Sequence, residues 1–200
     1  CFPAQASRIE AKLGAQEVET GKKAAADIAK DHKLSTNAED LKRVREMGEK
    51  IAAIANTVEI PAIYGSSKIT PFEYQFNIIE EPDVNAFCVP GGFIYIYRGL
   101  LDFVQSDDEL AAVIAHEICH ASHHHMVYLL DKQAGLNNHL AIALLAGILG
   151  GARSQDLGNI VLGVQLYQIA KLNGYGMEAE HDADRGAVKY AYKAGYNPVG

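Results

Sequence analysis

From Leu110 to Met126 the chain carries neither glycine nor proline, and Ser106-Asp107-Asp108-Glu109 stands directly before that run. Serine followed three residues later by glutamate is a capping box, the local signature of a helix start. The sequence therefore predicts one uninterrupted helix here, and that helix carries His116-Glu117-Ile118-Cys119-His120. Side chains four apart lie one turn above each other, so both histidines share a face. Two imidazoles so placed can reach one zinc ion at about 2.0–2.1 Å. Glu117 stands about 100° round the helix, beside such an ion and not on it. There a carboxylate can take a proton from water and pass it to a leaving amine.

A catalytic zinc needs a third protein ligand and one open position. The run from Met177 to Ala194, ended by Gly195, predicts a last helix on which Glu180 and Asp184 share a face with Ala187, Val188 and Ala191. Acids on an apolar stripe need a partner, and a metal is one. Glu180 is the preferred third ligand. His181 competes, but its face also holds Arg185 and Tyr192. Glu178 and Asp182 read as the solvated acidic start of a helix, favoured by its dipole.

The remaining chain predicts an α+β fold, mostly helical. Residues 4–57 read as two helices broken near His32–Ser35. Ile9, Leu13 and Val18 form the first apolar stripe; Thr36-Asn37-Ala38-Glu39 opens the second helix, with Leu41, Val44, Ile51 and Ile54 on its apolar side. Phe72 to Ile78 alternates at the strand period, Pro90-Gly91-Gly92 is a turn, and Phe93–Tyr97 is strand-forming. These two runs predict a small antiparallel sheet. His139–Ala152 reads as a buried helix, being shorter than the roughly 20 residues a membrane span needs, and Ile160–Leu172 as an amphipathic one. Residues 1–60 then form N-terminal helices packed on a core of 61–200, within one structural domain. The glycine-containing segment 126–175 is read either as a lid or as a rigid helical hairpin.

Charge narrows the partners. Eighteen Lys plus Arg against 25 Asp plus Glu give a net charge of −7, which excludes a large basic face and with it nucleic acid or anionic lipid as general partners. Three cysteines do not make a disulfide scaffold, although Cys88 and Cys119 are candidates for one bridge in an exported protein. His123, His124 and His125 read as structural residues at a helix end, where polar groups suit the dipole. Tyr175, Tyr190 and Arg185 are unranked candidates for stabilising an oxyanion. At the N-terminus, Cys1 reads as the acylated first residue of a mature lipoprotein, or Cys1–Ala6 as the remnant of a signal-peptidase site, with an arbitrary boundary as the alternative. The first two place the protein outside the cytoplasm, with membrane association only through a lipid anchor at Cys1.

The motifs together carry a resemblance. The run HEICHASHHH with EHDAD sixty residues later resembles the HtpX and CaaX-prenyl-protease family of zinc metallopeptidases, most closely its short soluble periplasmic, BepA-like branch. Asn85-Ala86-Phe87, Pro90-Gly91-Gly92 and Gly99-Leu100-Leu101 resemble that family's strand and turn beside the cleft. His125 falls on a further family histidine, and Ala194-Gly195-Tyr196-Asn197-Pro198 resembles its usual ending. His124 and Met177 stand where the family usually has arginine, and Cys119 where it usually has glycine. The resemblance implies a zincin-like domain, one Zn²⁺ per chain held by His116, His120 and Glu180, Glu117 as catalytic base, and Asp184 supporting a ligand. It implies polypeptide substrates, with misfolded envelope proteins as clients and envelope assembly partners as a further expectation. Residues 92–97, with Asn85, Gly91, Gly92, Phe93, Ile94 and Tyr95 as the named contacts, offer a strand edge for pairing with an extended substrate. A chaperone using the same groove, or a zinc hydrolase acting on another bond, remain alternatives.

Overall fold

The computed structural model describes residues 13–136, 141, 143–145, 166, 169 and 176–198. The reading of Cys1–Ala6, most of the helices over 139–152 and 160–172, the lid and Tyr175 lie outside the described residues. Among the described ones, the elements run α1 (Ala15–Asp31), α2 (Ala38–Ala55), β1 (Gln75–Ile79), β2 (Ala86–Val89), β3 (Phe93–Tyr97), α3 (Arg98–Phe103), α4 (Asp107–Ser122), α5 (His125–Gly135) and α6 (Met177–Lys193). The fold is α+β, with helices around a three-stranded mixed sheet. No helix among the described residues is long and apolar enough to cross a membrane.

Local chemistry sets the helix starts. The Asn37 side chain accepts from the Glu39 and Asp40 amides at 3.0 and 3.3 Å and caps α2. Ser106 accepts from the Glu109 amide at 3.1 Å and caps α4. The buried face of α1 is Glu17, Thr20, Gly21, Ala24 and Ile28, so a charged residue sits on the stripe predicted to be apolar. Its partner, His124, is described below.

The sheet corrects two expectations. Its order is β1-β3-β2. β1 pairs with β3 in parallel, Phe76 beside Ile94 and Ile78 beside Ile96, so the runs predicted to be antiparallel are not. The antiparallel partner of β3 is β2, Phe87 opposite Tyr95. Pro90-Gly91-Gly92 makes the hairpin between them, and both glycines hold positive φ, 83° and 87°, which glycine adopts without a Cβ penalty. β3 is thus the central strand. Phe93, Ile94 and Tyr95 are all buried, and both hydrogen-bonding edges of β3 are taken within the sheet, so it offers no edge to a substrate.

The predicted 110–126 helix also ends early. α4 stops at Ser122, and His124 takes a left-handed conformation (φ 60°, ψ 33°) before α5 begins at His125. Neither glycine nor proline breaks the helix here; tertiary bonds made by the three histidines do.

α6 lies across α4 at very close range. A Cβ on Gly186 would stand 2.2 Å from Cys119 Sγ. Cys88 and Cys119 are both buried and carry thiols, not a bridge, and burial pushes the Cys119 thiol pKa well up, which leaves it unreactive. Alanine at 186 gains up to about 1 kcal/mol of helix propensity but overpacks this contact. Gly186→Ala is expected to destabilise by about 1–3 kcal/mol in urea unfolding. Adding Cys119→Ala should recover most of that loss; no recovery would place the strain elsewhere.

Candidate active site

α4 and α6 bring the predicted ligand atoms together. His116 Nε2 and His120 Nε2 lie 2.9 Å apart. Glu180 Oε2 stands 3.3 Å from the first and 3.7 Å from the second. Ligand atoms bound tetrahedrally at 2.0–2.2 Å stand about 3.3–3.6 Å apart, so the triangle is close to what a zinc ion needs.

The hydrogen bonds behind the triangle fix what its atoms present. His116 Nδ1 donates to Asp184 Oδ1 at 3.0 Å. His120 Nδ1 meets His125 Nδ1 at 2.8 Å, and His125 Nε2 lies 3.1 Å from Asp182 Oδ2 and 3.2 Å from the Tyr64 carbonyl. Both of those oxygens accept, so His125 carries its proton on Nε2 and accepts from His120 at Nδ1. With both Nδ1 atoms protonated, His116 and His120 each turn an Nε2 lone pair toward Glu180. Two lone pairs and a carboxylate aimed at one point call for a cation, and the residues fit a metal ion.

Electrostatics separate the two imidazoles. Burial lowers His120 to about 3, against the raising effect of Glu180, so it stays neutral, as a ligand must. Burial also opposes charge on His116. The Glu180 hydrogen bond and the Glu117, Glu180 and Asp184 charges outweigh it and push His116 up to about 9. Metal and proton therefore compete for that nitrogen. Burial raises Glu117 to about 7, aided by Glu180 and opposed by His116 and by the Cys88 amide that donates to it.

Glu117 faces a cavity of about 330 Å³ whose walls include Asn85, Ala86, Phe87, His116, His120 and Glu180. Tyr97 N donates to the Asn85 carbonyl at 3.0 Å, which makes Asn85–Tyr97 a hydrogen-bonded pair. Ala86 and Cys88 then point their backbone groups away from β3. The strand edge that meets the cleft is therefore the outer edge of β2. Of the predicted substrate contacts only Asn85 lines this cavity. Gly91 packs under α1, where a Cβ would stand 2.6 Å from Val18 Cα, and Gly92 packs on Phe72 and Tyr74. Phe93, Ile94 and Tyr95 lie in the core.

Asp182 is the residue that sequence reasoning misplaced. It is buried, where a solvated position was expected. Its Oδ1 accepts from the Ile63 amide at 2.6 Å, and its Oδ2 meets His123 Nδ1 at 2.5 Å as well as His125. Burial alone would raise its pKa, but these donors outweigh burial and hold the carboxyl well below the usual range. The signal was available: Ala179, Asp182, Ala183, Gly186, Ala187 and Tyr190 form the buried face of α6, at helical spacing with Asp182 in its middle. Glu178 does pair in the open, with Lys132 at 2.6 Å. His181 and Arg185 are exposed, and Tyr190 is buried with its hydroxyl 3.1 Å from Ser122 Oγ.

His124 completes the histidine turn. It is buried, and its Nδ1 lies 2.8 and 3.0 Å from the two carboxylate oxygens of Glu17, itself buried on α1. The turn that aims His125 at His120 is therefore tied to the N-terminal helix.

A helix that carries two histidines one turn apart with a glutamate between them, and a glutamate from a later helix beside both, has the donor set of a metallopeptidase. The chain belongs to peptidase family M48, whose sequence profile matches residues 41–200. A beta-barrel assembly-enhancing protease of Yersinia pestis is 24% identical over 156 residues, 78% of this chain and 30% of that one. The mitochondrial metalloendopeptidase OMA1 of Arabidopsis thaliana is 31% identical over 133 residues, 66% of this chain and 25% of that one. The metalloprotease LoiP of Escherichia coli K12 is 28% identical over 156 residues, 78% of this chain and 56% of that one. The chain thus spans between a quarter and just over a half of the length of these relatives.

The two aspartates of α6 should separate by experiment. Asp184→Asn is expected to weaken metal binding by about 10–100-fold in a chelator competition while leaving the unfolding midpoint unchanged. Asp182→Ala leaves several buried donors without their acceptor and should destabilise by about 3–5 kcal/mol. Equal effects of both on stability would contradict the division of labour. Glu180→Ala should abolish stoichiometric zinc by elemental analysis, and His181→Ala should not.

Proposed function

We propose that this chain is a zinc-dependent metalloendopeptidase that cleaves extended or misfolded polypeptides outside the cytoplasm. The observation that carries the reading is the convergence of two imidazole lone pairs and the Glu180 carboxylate beside the buried Glu117, in a cavity bordered by the β2 edge. The His₂Glu donor set suits zinc, one ion per chain. Bound there, zinc would lower the pKa of a coordinated water to about 7 and polarise the scissile carbonyl.

This chain's own residues supply the rest. Asp184 and His125 orient the ligand imidazoles. Glu117 takes the proton from the attacking water and returns it to the leaving amine. Its raised pKa suits a group that must both accept and give up a proton. The outward backbone groups of Ala86 hold an extended peptide as an added strand, with Asn85 beside it. Main-chain pairing reads few side chains, which supports misfolded proteins as clients. The name of the Yersinia relative supports a client or partner in β-barrel assembly.

Glu117→Gln tests the reading. It keeps the ligands and the cavity but removes the base. Zinc content should be unchanged, and hydrolysis of unfolded casein should fall by at least about 10²–10⁴-fold. In a strain lacking the protein, the variant should not relieve an envelope-stress defect. Full relief would instead favour a holding or assembly role for the same groove.

A further inference from the structure

The support of the ligand triangle extends beyond the residues that touch it. His120 takes its direction from His125, and His125 belongs to the turn 123–125. That turn is gripped from three sides. Asp182 accepts from His123 and His125. The Ser66 amide donates to the His123 carbonyl at 3.0 Å. Glu17 of α1 accepts from His124, the left-handed residue between the other two. This last grip comes from a helix outside the residues matched by the family profile, and the peptidase chemistry does not call on it.

We infer that Glu17 is a positioning residue for the metal centre: through His124 it holds the turn in the form that aims His125 at His120. The inference rests on the metallopeptidase reading. The pair is shut away from water, with Glu17 2% and His124 1% exposed. The carboxylate is fully used: Oε2 lies 2.8 Å from His124 Nδ1 and accepts from the Gly14 amide at 2.9 Å, and Oε1 lies 3.0 Å from the same His124 nitrogen. Carboxylate oxygens only accept, so His124 carries a proton on Nδ1. Its Nε2 meets no hydrogen-bonding partner among the described residues, and Phe72 packs edge-on against the ring at 5.6 Å between centroids. The polar hold on this ring is therefore the one that Glu17 provides.

Docking of α1 does not account for a buried carboxylate. The helix already seats on the β2–β3 hairpin, where a Cβ on Gly21 would stand 2.0 Å from the Pro90 carbonyl oxygen, and it buries Ala24 and Ile28. Apolar residues of similar volume usually serve a fold as well as a buried polar pair does; what the pair adds is direction. Direction is what this turn lacks by itself. A left-handed backbone is disfavoured for a residue with a Cβ, and the right-handed alternative would carry His125 round the helix and away from His120. A bond made at the left-handed residue itself favours the form that the ligand set needs.

The test measures zinc affinity of the full chain by chelator competition, beside turnover of a fluorogenic peptide. Glu17→Ala should weaken zinc binding by about tenfold. At saturating zinc its kcat should fall by about three- to tenfold, with KM changed by less than about twofold. Glu17→Gln, whose amide oxygen can stand at the Oε2 position and accept from both Gly14 and His124, should keep most of both. His124→Asn, a residue that tolerates the left-handed backbone, should match Glu17→Ala, and the double variant should be no worse than either single one. In the cobalt-loaded chain the visible absorption bands should shift in Glu17→Ala. Ile28→Ala loosens the far end of α1 without touching the pair; it should lower the unfolding midpoint and leave zinc affinity and the cobalt spectrum unchanged. Parental zinc affinity in Glu17→Ala, an equal loss in Ile28→Ala, or additive losses in the double variant overturns the role and leaves the peptidase reading standing. Should Glu17→Ala fail to fold, His124→Asn against Ile28→Ala decides by the same comparison. A parent chain that neither binds zinc stoichiometrically nor cleaves sinks the peptidase reading, and the role of Glu17 with it.

Discussion

The carboxylate of Asp182 gathers three donors from two distant parts of the chain: the Ile63 amide, and His123 and His125 of one turn. Most of the site depends on this one buried anion. Because its oxygens only accept, they set the proton on His125 Nε2. That in turn makes His125 Nδ1 the acceptor for His120, and so turns the His120 lone pair into the cleft. The same bonds fasten the loop at Ile63 to the histidine turn and α6 to α4. A charge this deeply buried is tolerable only because its partners satisfy it.

The histidine turn is the mechanical counterpart of that anion. His123, His124 and His125 point to Asp182, Glu17 and His120 respectively, which successive positions of one helix cannot do. A left-handed His124 lets them diverge, at a cost of order 1–3 kcal/mol that surrounding bonds must offset. Two of its partners are carboxylates on opposite ends of the described chain. The active-site helix is thereby held at its C-terminal end by elements far apart in sequence.

What the sequence made legible was whatever depends on local spacing. His116, Glu117 and His120 are one helical turn, α4 carries its own start signal and α6 its stop signal, so these positions followed from periodicity. Strand direction did not follow, because side chains alternate at the same period in parallel and antiparallel pairs. β2, four residues of near-continuous apolar character, was too short to read as a separate strand, which is why β3 was mistaken for an edge. The early end of α4 has no composition signal at all, since a histidine turn replaces the usual glycine. Asp182 was misread, and Glu17 passed over, for a common reason. A carboxylate near a helix start is ordinarily solvated, and only a partner distant in sequence reveals that it is buried.

The bond between Glu17 and His124 bears on where this molecule begins as a physical object. The family profile starts at residue 41, inside α2, and leaves α1 outside the match. Yet α1 supplies the acceptor for a histidine in the turn that follows the active-site helix, and it packs closely enough on the β2–β3 hairpin that Gly21 and Gly91 have no room for a side chain. The matched profile and the mechanical unit have different borders here. The segment before Leu41 lies outside the matched profile while remaining part of the body that the catalytic helix is braced against.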